Sequence, residues 1–263
     1  MRDGIFPLFT KGRVLKRESI EYLRDFPHDL AVLAFDGYAD GILFGFTIEF
    51  SAKQRHLIIS KGAVKHQDNI VIIPKETIVP VSEDYCGHLV YIKLFINNYY
   101  ETEDKKTCDI DISLDEDDPS SSFLASHSLK IELGRFHLNS SAILRCQHES
   151  FADLFTPENT IGITCVPYAG LGATTLHPVI LQEYANKLMQ ISSEPVDMSF
   201  AMTCFNTSVV HKRAIQWYIA KKCGNKYKDY PLLELSEKLR EILLKQELGE
   251  LPEEPKRRRA TVS

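Results

Sequence analysis

The sequence predicts an α+β protein, an N-terminal antiparallel β-sandwich followed by a C-terminal α-helical bundle. Two observations carry this. Short apolar runs rich in β-branched and aromatic residues, separated by glycine and asparagine turns, fill residues 41–170. After Gly170 the apolar spacing changes from two to three or four, the spacing of helix. The expected divisions are an arm with short helices over 1–40, the sandwich over 41–170, the bundle over 171–248 and a charged tail over 249–263. At 263 residues, one large domain or two modest ones are allowed, and the change of period favours two.

In the first forty residues Ile20 and Leu23 share a helical face, Pro27 interrupts, and Asp29 to Phe35 make a second short piece. Gly41 to Phe50 is one strand bounded by glycine, and His56–Ser60, Ala63–His66 and Asn69–Ile73 follow it. Turns at Lys61-Gly62 and Gln67-Asp68-Asn69 separate these. His88 to Tyr99 is apolar on both faces, as a central strand covered on two sides should be. Cys108 to Leu114 alternates Ile110 and Ile112 with Asp109 and Asp111, a half-exposed strand. Asp115 to Ser122 is then an acidic, serine-rich loop, and Leu129–Leu138 and Ile161–Val166 complete the sandwich.

Among the helices, Val179 to Ile191 comes first. Ser193 caps a second that has Pro195 in its first turn, and Thr207 caps a third, Ser208 to Lys222, closed by Gly224. Val210, Ala214, Trp217 and Tyr218 are expected on the buried face of the third. The last helix runs from Pro231 to about Glu247 with Leu232, Leu235, Leu239, Ile242 and Leu243 on one stripe.

Chemistry is sparse. There is no G-x-x-x-x-G-K-[ST], no G-x-S-x-G and no H-E-x-x-H, and the nine histidines show no pair one helical turn apart. Six scattered cysteines without C-x-x-C read as small buried thiols, and no cofactor or metal is expected. The loop Tyr168 to Thr175 carries a lone G-x-G and is expected to be an interdomain hinge. Asp109, Asp111 and Asp115 to Asp118 lack the glycine and closing glutamate of an EF-hand and read as solvated. The basic run Lys256 to Arg259 sits on the expected flexible tail. A net charge of -5 argues against a nucleic-acid partner. The absence of a long apolar run argues against membrane insertion, and the first residues do not read as a signal peptide, so a cytoplasmic location is expected.

Two segments carry a resemblance. One is Leu8 to Lys16 with Tyr22 to Pro27. The other opens with Tyr38-Ala39-Asp40-Gly41-Ile42-Leu43-Phe44-Gly45 and continues through Leu57 to Val64 and on to Asn69-Ile70-Val71. Their form resembles the opening of phage tail and baseplate proteins. The sandwich-then-bundle layout is similar to the type VI secretion baseplate connector, whose shoulder resembles that of siphophage receptor-binding proteins. The likeness spans roughly residues 5 to 250 in layout and about sixty in motif. It implies a non-catalytic structural subunit, a homo-oligomer such as a trimer, built into the baseplate of a contractile injection system beside other baseplate or tail proteins. Phe6, Leu8, Phe9, Tyr38 and Trp217 are the residues expected to contact partners. Two other classes stay open. One is a small-ligand or carbohydrate module using Tyr85, Tyr99 and Tyr100; the other is an enzyme assembled around Asp40, His88 and His137.

Overall fold

The computed structural model describes residues 11, 12, 14, 16–67, 69–101, 106–118, 128–140, 142–156 and 158–248. The expected partner contacts Phe6, Leu8 and Phe9, the loop residues 119–122 and the tail with Lys256 to Arg259 lie outside the described residues.

A single helix, α1 (Arg17–Ala34), opens the described chain with Pro27 inside it, where the sequence suggests two broken pieces. Proline removes one backbone donor and crowds the preceding turn. The stretch around Pro27 is exposed, so water can take the carbonyl left without a partner.

The strands are β1 (Gly41–Gly45), β2 (Ile48–Ser51), β3 (His56–Ile59), β4 (Gly62–His66), β5 (Asn69–Ile73), β6 (Thr77–Pro80), β7 (Leu89–Glu101), β8 (Lys106–Asp115) and β9 (Leu129–His137). They form three antiparallel sheets ordered β1-β4-β5, β2-β3-β6 and β8-β7-β9. The expected strand 41–50 is therefore two strands in two sheets. The break falls at Phe46, whose φ of 59° lies in the left-handed region that bulky residues avoid. Its ring is buried beside Gly62, where a Cβ would come 2.5 Å from two ring carbons. Packing of the ring therefore holds the unfavourable backbone, and glycine at 62 makes the space.

β7 is central, as its two apolar faces imply. Val90, Ile92, Leu94 and Ile96 are fully buried on one side, and Tyr91 and Lys93 are buried on the other. A charge at such a position needs a partner; the Lys93 Nζ lies 2.7 Å from Asp115 Oδ2 at the end of β8. The segment Ile161–Val166 is no regular strand. It makes an isolated bridge through Gly162 to Arg135, just after one from Thr160 to Arg145. Its apolar side chains still enter the core, which is the half of the strand signal that burial alone supplies.

The helices are α2 (Pro178–Ile191), α3 (Pro195–Asn206), α4 (Lys212–Cys223) and α5 (Leu232–Glu247). Their ends differ from expectation. Glu194, not Ser193, stands at the start of α3, while Ser192 Oγ accepts the Glu194 N–H at 3.2 Å. α4 begins four residues late because His211 Nδ1 accepts the Arg213 N–H at 3.0 Å and supplies the cap that Thr207 was expected to give. Gly224 closes α4 at φ 63°, as read. On α4, Ile215, Tyr218 and Ile219 are buried, whereas Ala214 and Trp217 are exposed. The inward side is set by packing, Tyr218 stacking on Phe200 of α3 while α5 meets α4 from the other side of the bundle's core. One apolar core runs from Ile42 in β1 to Leu243 in α5, so strands and helices share it. The loop 168–175 is a pinned seam and not a free hinge. Tyr168 and Thr175 exchange backbone bonds, Ala39 N–H donates to Gly170, and the buried Thr175 hydroxyl donates to the Val210 carbonyl at 2.7 Å.

Candidate interaction surfaces

α1 is amphipathic along its whole length. At 100° per residue, Ile20, Leu23, Phe26, Leu30 and Leu33 fall on one side, with Glu18, Glu21, Arg24, Asp25 and His28 on the other. Such a stripe normally marks the face packed on a core. Here no residue of α1 is buried, and all five apolar side chains are exposed, Leu33 at 73%. Tyr38 joins the helix to the body. Its ring meets Phe35 edge-on at 5.4 Å beside a small cluster of Leu43, Ala63 and Ala169, and its backbone bridges to Leu171. It is half-buried and acts as an anchor more than as an open contact.

Trp217 does stand out from the surface, 58% exposed, with its ring tilted against Tyr227 at 5.0 Å. It edges an open groove of about 430 Å³ between α3 and α4. Pro195, Val196 and Thr203 line one side and Ala214 the other. The floor is rigid, since Phe200 and Tyr218 stack at 4.0 Å with rings nearly parallel.

Beneath that floor lies a buried polar knot. Asp197 has no exposed surface, yet accepts from Tyr218 at 2.8 Å, Lys222 at 2.9 Å, Gln246 at 2.6 Å and Ser192. Lys222 also reaches Glu194 at 2.6 Å, and Tyr184 meets Tyr218 hydroxyl to hydroxyl at 2.8 Å. Burial alone would raise the Asp197 carboxyl, but hydrogen bonds from Ser192, Lys222 and Tyr218 outweigh it and hold the group below the usual carboxylate range. Burial pushes Tyr184 and Tyr218 up, so both remain protonated donors. The knot ties α2, α3, α4 and α5 at one point and fixes the wall that carries Trp217.

The chemical candidates do not converge. Asp40 pairs with His66 at 3.2 Å, His88 with Glu116 at 3.4 Å and His137 with Glu158 at 2.9 Å. Tyr85, in the short turn before β7, donates to the Leu114 carbonyl at 3.2 Å, and Tyr100 donates to Asp109 at 3.0 Å across β7 and β8; the Tyr99 side chain lies outside the described ones. Asp115 is engaged by Lys93 and by the Asp117 N–H. Among the described residues no three His, Cys, Asp or Glu side chains could hold a metal ion, and no helix is long and apolar enough to cross a membrane.

Two of these features escaped the sequence reading. The α1 stripe was signalled by Phe26, Leu30 and Leu33 continuing the spacing of Ile20 and Leu23 past Pro27. The knot was signalled only by one aspartate in the otherwise uncharged run Pro195 to Phe205.

No family model matches the chain, and no curated protein matches it. Solved structures do. The chain is similar to a crystal structure of TssK, with a TM-score of 0.46 and 8% identity over 95% of this chain and 73% of that one. It is also similar to a chain of the type VI secretion system TssK-TssF-TssG baseplate subcomplex seen by cryo-electron microscopy, with a TM-score of 0.38 and 10% identity over 89% of this chain and 98% of that one. A chain of the baseplate complex from the type VI secretion system matches with a TM-score of 0.39 and 13% identity, over 90% of this chain and all of that one, a coverage of 100%.

Proposed function

We propose that this protein is a non-catalytic structural subunit of a phage-tail-like or type VI-like contractile injection baseplate. In this reading it assembles as a homo-oligomer, a trimer if the resemblance is followed, and docks other baseplate or tail proteins. The observation that carries the reading is α1, an amphipathic helix whose apolar stripe finds no cover within the described chain. Exposed apolar area of this extent on one ordered element marks a contact surface. The sequence resemblance of residues 8–71 to tail and baseplate openings supplies the kind of assembly. The exposed Trp217, beside a rigid groove, is a second contact point in the same scheme, since tryptophan commonly anchors protein interfaces.

The test replaces Leu23 and Leu30 with aspartate and measures mass by light scattering, together with retention of co-expressed sheath, tube and spike proteins. The expected result is an oligomer that holds such partners in the parent chain, and a monomer that loses them at unchanged melting temperature in the double variant. A parent chain that is monomeric and retains none of them overturns the reading.

A further inference from the structure

Where β1 and β2 part at Phe46, the sheets open onto a cavity of about 560 Å³, within the usual range of small-molecule sites of ~300–1,000 Å³. Phe46, Phe50, Leu133, Leu144, Ile161 and Ile163 make its apolar wall. The polar side is made by Glu49, Cys146, Gln147, His148 and His177. Phe46 holds its left-handed backbone at this wall, and strain in a bulky residue is commonly retained where a ligand or contact needs the shape.

The polar side has a sign. No lysine or arginine lines the cavity, and the Glu49 carboxylate forms no ion pair among the described residues. His177 spends its Nδ1 on the Val179 N–H at 3.1 Å as the cap of α2, and burial lowers it to about 4, so the ring stays neutral. His148 Nε2 lies 2.8 Å from the Ile161 carbonyl and carries the proton of that hydrogen bond. Burial, and then the Glu49 charge, raise the Cys146 thiol to about 11, so it adds no charge of its own. A wall whose one carboxylate meets no lysine or arginine disfavours phosphates and carboxylates and suits a cationic group. An ammonium offers three donors and a positive charge, and the faces of Phe46 and Phe50 suit an apolar body beside a cation.

We propose that this cavity binds a small primary amine carrying an aromatic or alkyl body, with the ammonium held by Glu49 and the body between the phenylalanines and the aliphatic wall. The cavity shares no lining residue with α1 or with the Trp217 groove, so the inference stands apart from the assembly reading. The probe is phenethylamine, titrated calorimetrically into the full chain against phenethyl alcohol and 3-phenylpropionate, which keep the body and change the head. Saturable binding of the amine near ~1 mM or tighter is expected, with the alcohol about tenfold weaker and the acid not binding. Glu49→Gln, on an exposed side chain, should leave the melting temperature unchanged, weaken the amine about tenfold and leave the alcohol as it was. Leu144→Trp, which fills the wall, should abolish both. No saturation by the amine, equal binding of amine and alcohol, or a Glu49→Gln variant that keeps full amine affinity would each overturn the proposal.

Discussion

α1 and α5 are built on the same pattern and meet opposite fates. Each carries apolar residues every three or four positions with charges behind them. α5 buries Leu235, Leu239, Ile242 and Leu243 against the shared core, whereas α1 buries nothing. Periodicity therefore says which face of a helix wants cover, and only the fold says whether the chain provides it. In α5 the apolar energy goes into folding. In α1 the described residues leave the apolar face uncovered.

The largest expected effect lies in the bundle that seats α5. Asp197→Ala leaves the buried Lys222 with Glu194 as its remaining partner and also removes the anchor of Gln246 on α5, and should cost about 3–5 kcal/mol in a denaturant titration. Acid should reproduce part of this. A carboxyl held below its ordinary value stabilises the fold fully above 3.8. That contribution is lost as the pH falls through 3.8 and then through the lower folded value. An Asp197→Ala variant whose stability matches the parent above pH 5 would show that the knot contributes nothing net.

Next comes the stripe of α5 itself. Leu239 has no exposed surface, and Leu239→Ala should cost about 2–5 kcal/mol through lost burial and the cavity left behind. A loss under about 0.5 kcal/mol, the size of a surface change, would mean that α5 is no more part of the core than α1.

How far the sequence could foresee these things depends on which part of the physics was local. β7 was legible because Val90 to Ile96 alternate with residues that are also buried, a signature that needs no knowledge of the partner strands. Gly224 was legible because a left-handed closing residue is a property of one residue. The split at Phe46 was not, since it rests on a ring fitting over Gly62 sixteen positions away in chain order. His211 in place of Thr207 was missed because histidine rarely competes as a cap, and its imidazole serves here only through the geometry of one turn. For the candidate surfaces, Trp217 was named but set on a buried face, and the spacing along α4 gave no way to separate the two until Ile215 and Ile219 took the inward positions. The cavity residues Glu49, Cys146, His148 and His177 are spread over 129 positions of chain from first to last, and nothing local joins them.

The smallest expected effect is the most telling for the comparison. Leu30→Ala removes as many carbons as Leu239→Ala, from a helix with the same pattern. Yet Leu30 is 55% exposed and its removal opens no internal cavity. Alanine is also the better helix former, which offsets the little packing that is lost. The unfolding free energy of the isolated chain, measured at a concentration where it is monomeric, should therefore move by less than about 0.5 kcal/mol. The same substitution measured at a concentration where copies or partners assemble should weaken that assembly, because the stripe is then covered and the leucine is lost from a packed interface. A cost above about 2 kcal/mol in the monomer, the size expected of a core leucine, would place α1 against the body of its own chain in solution. It would leave no free face to carry the assembly.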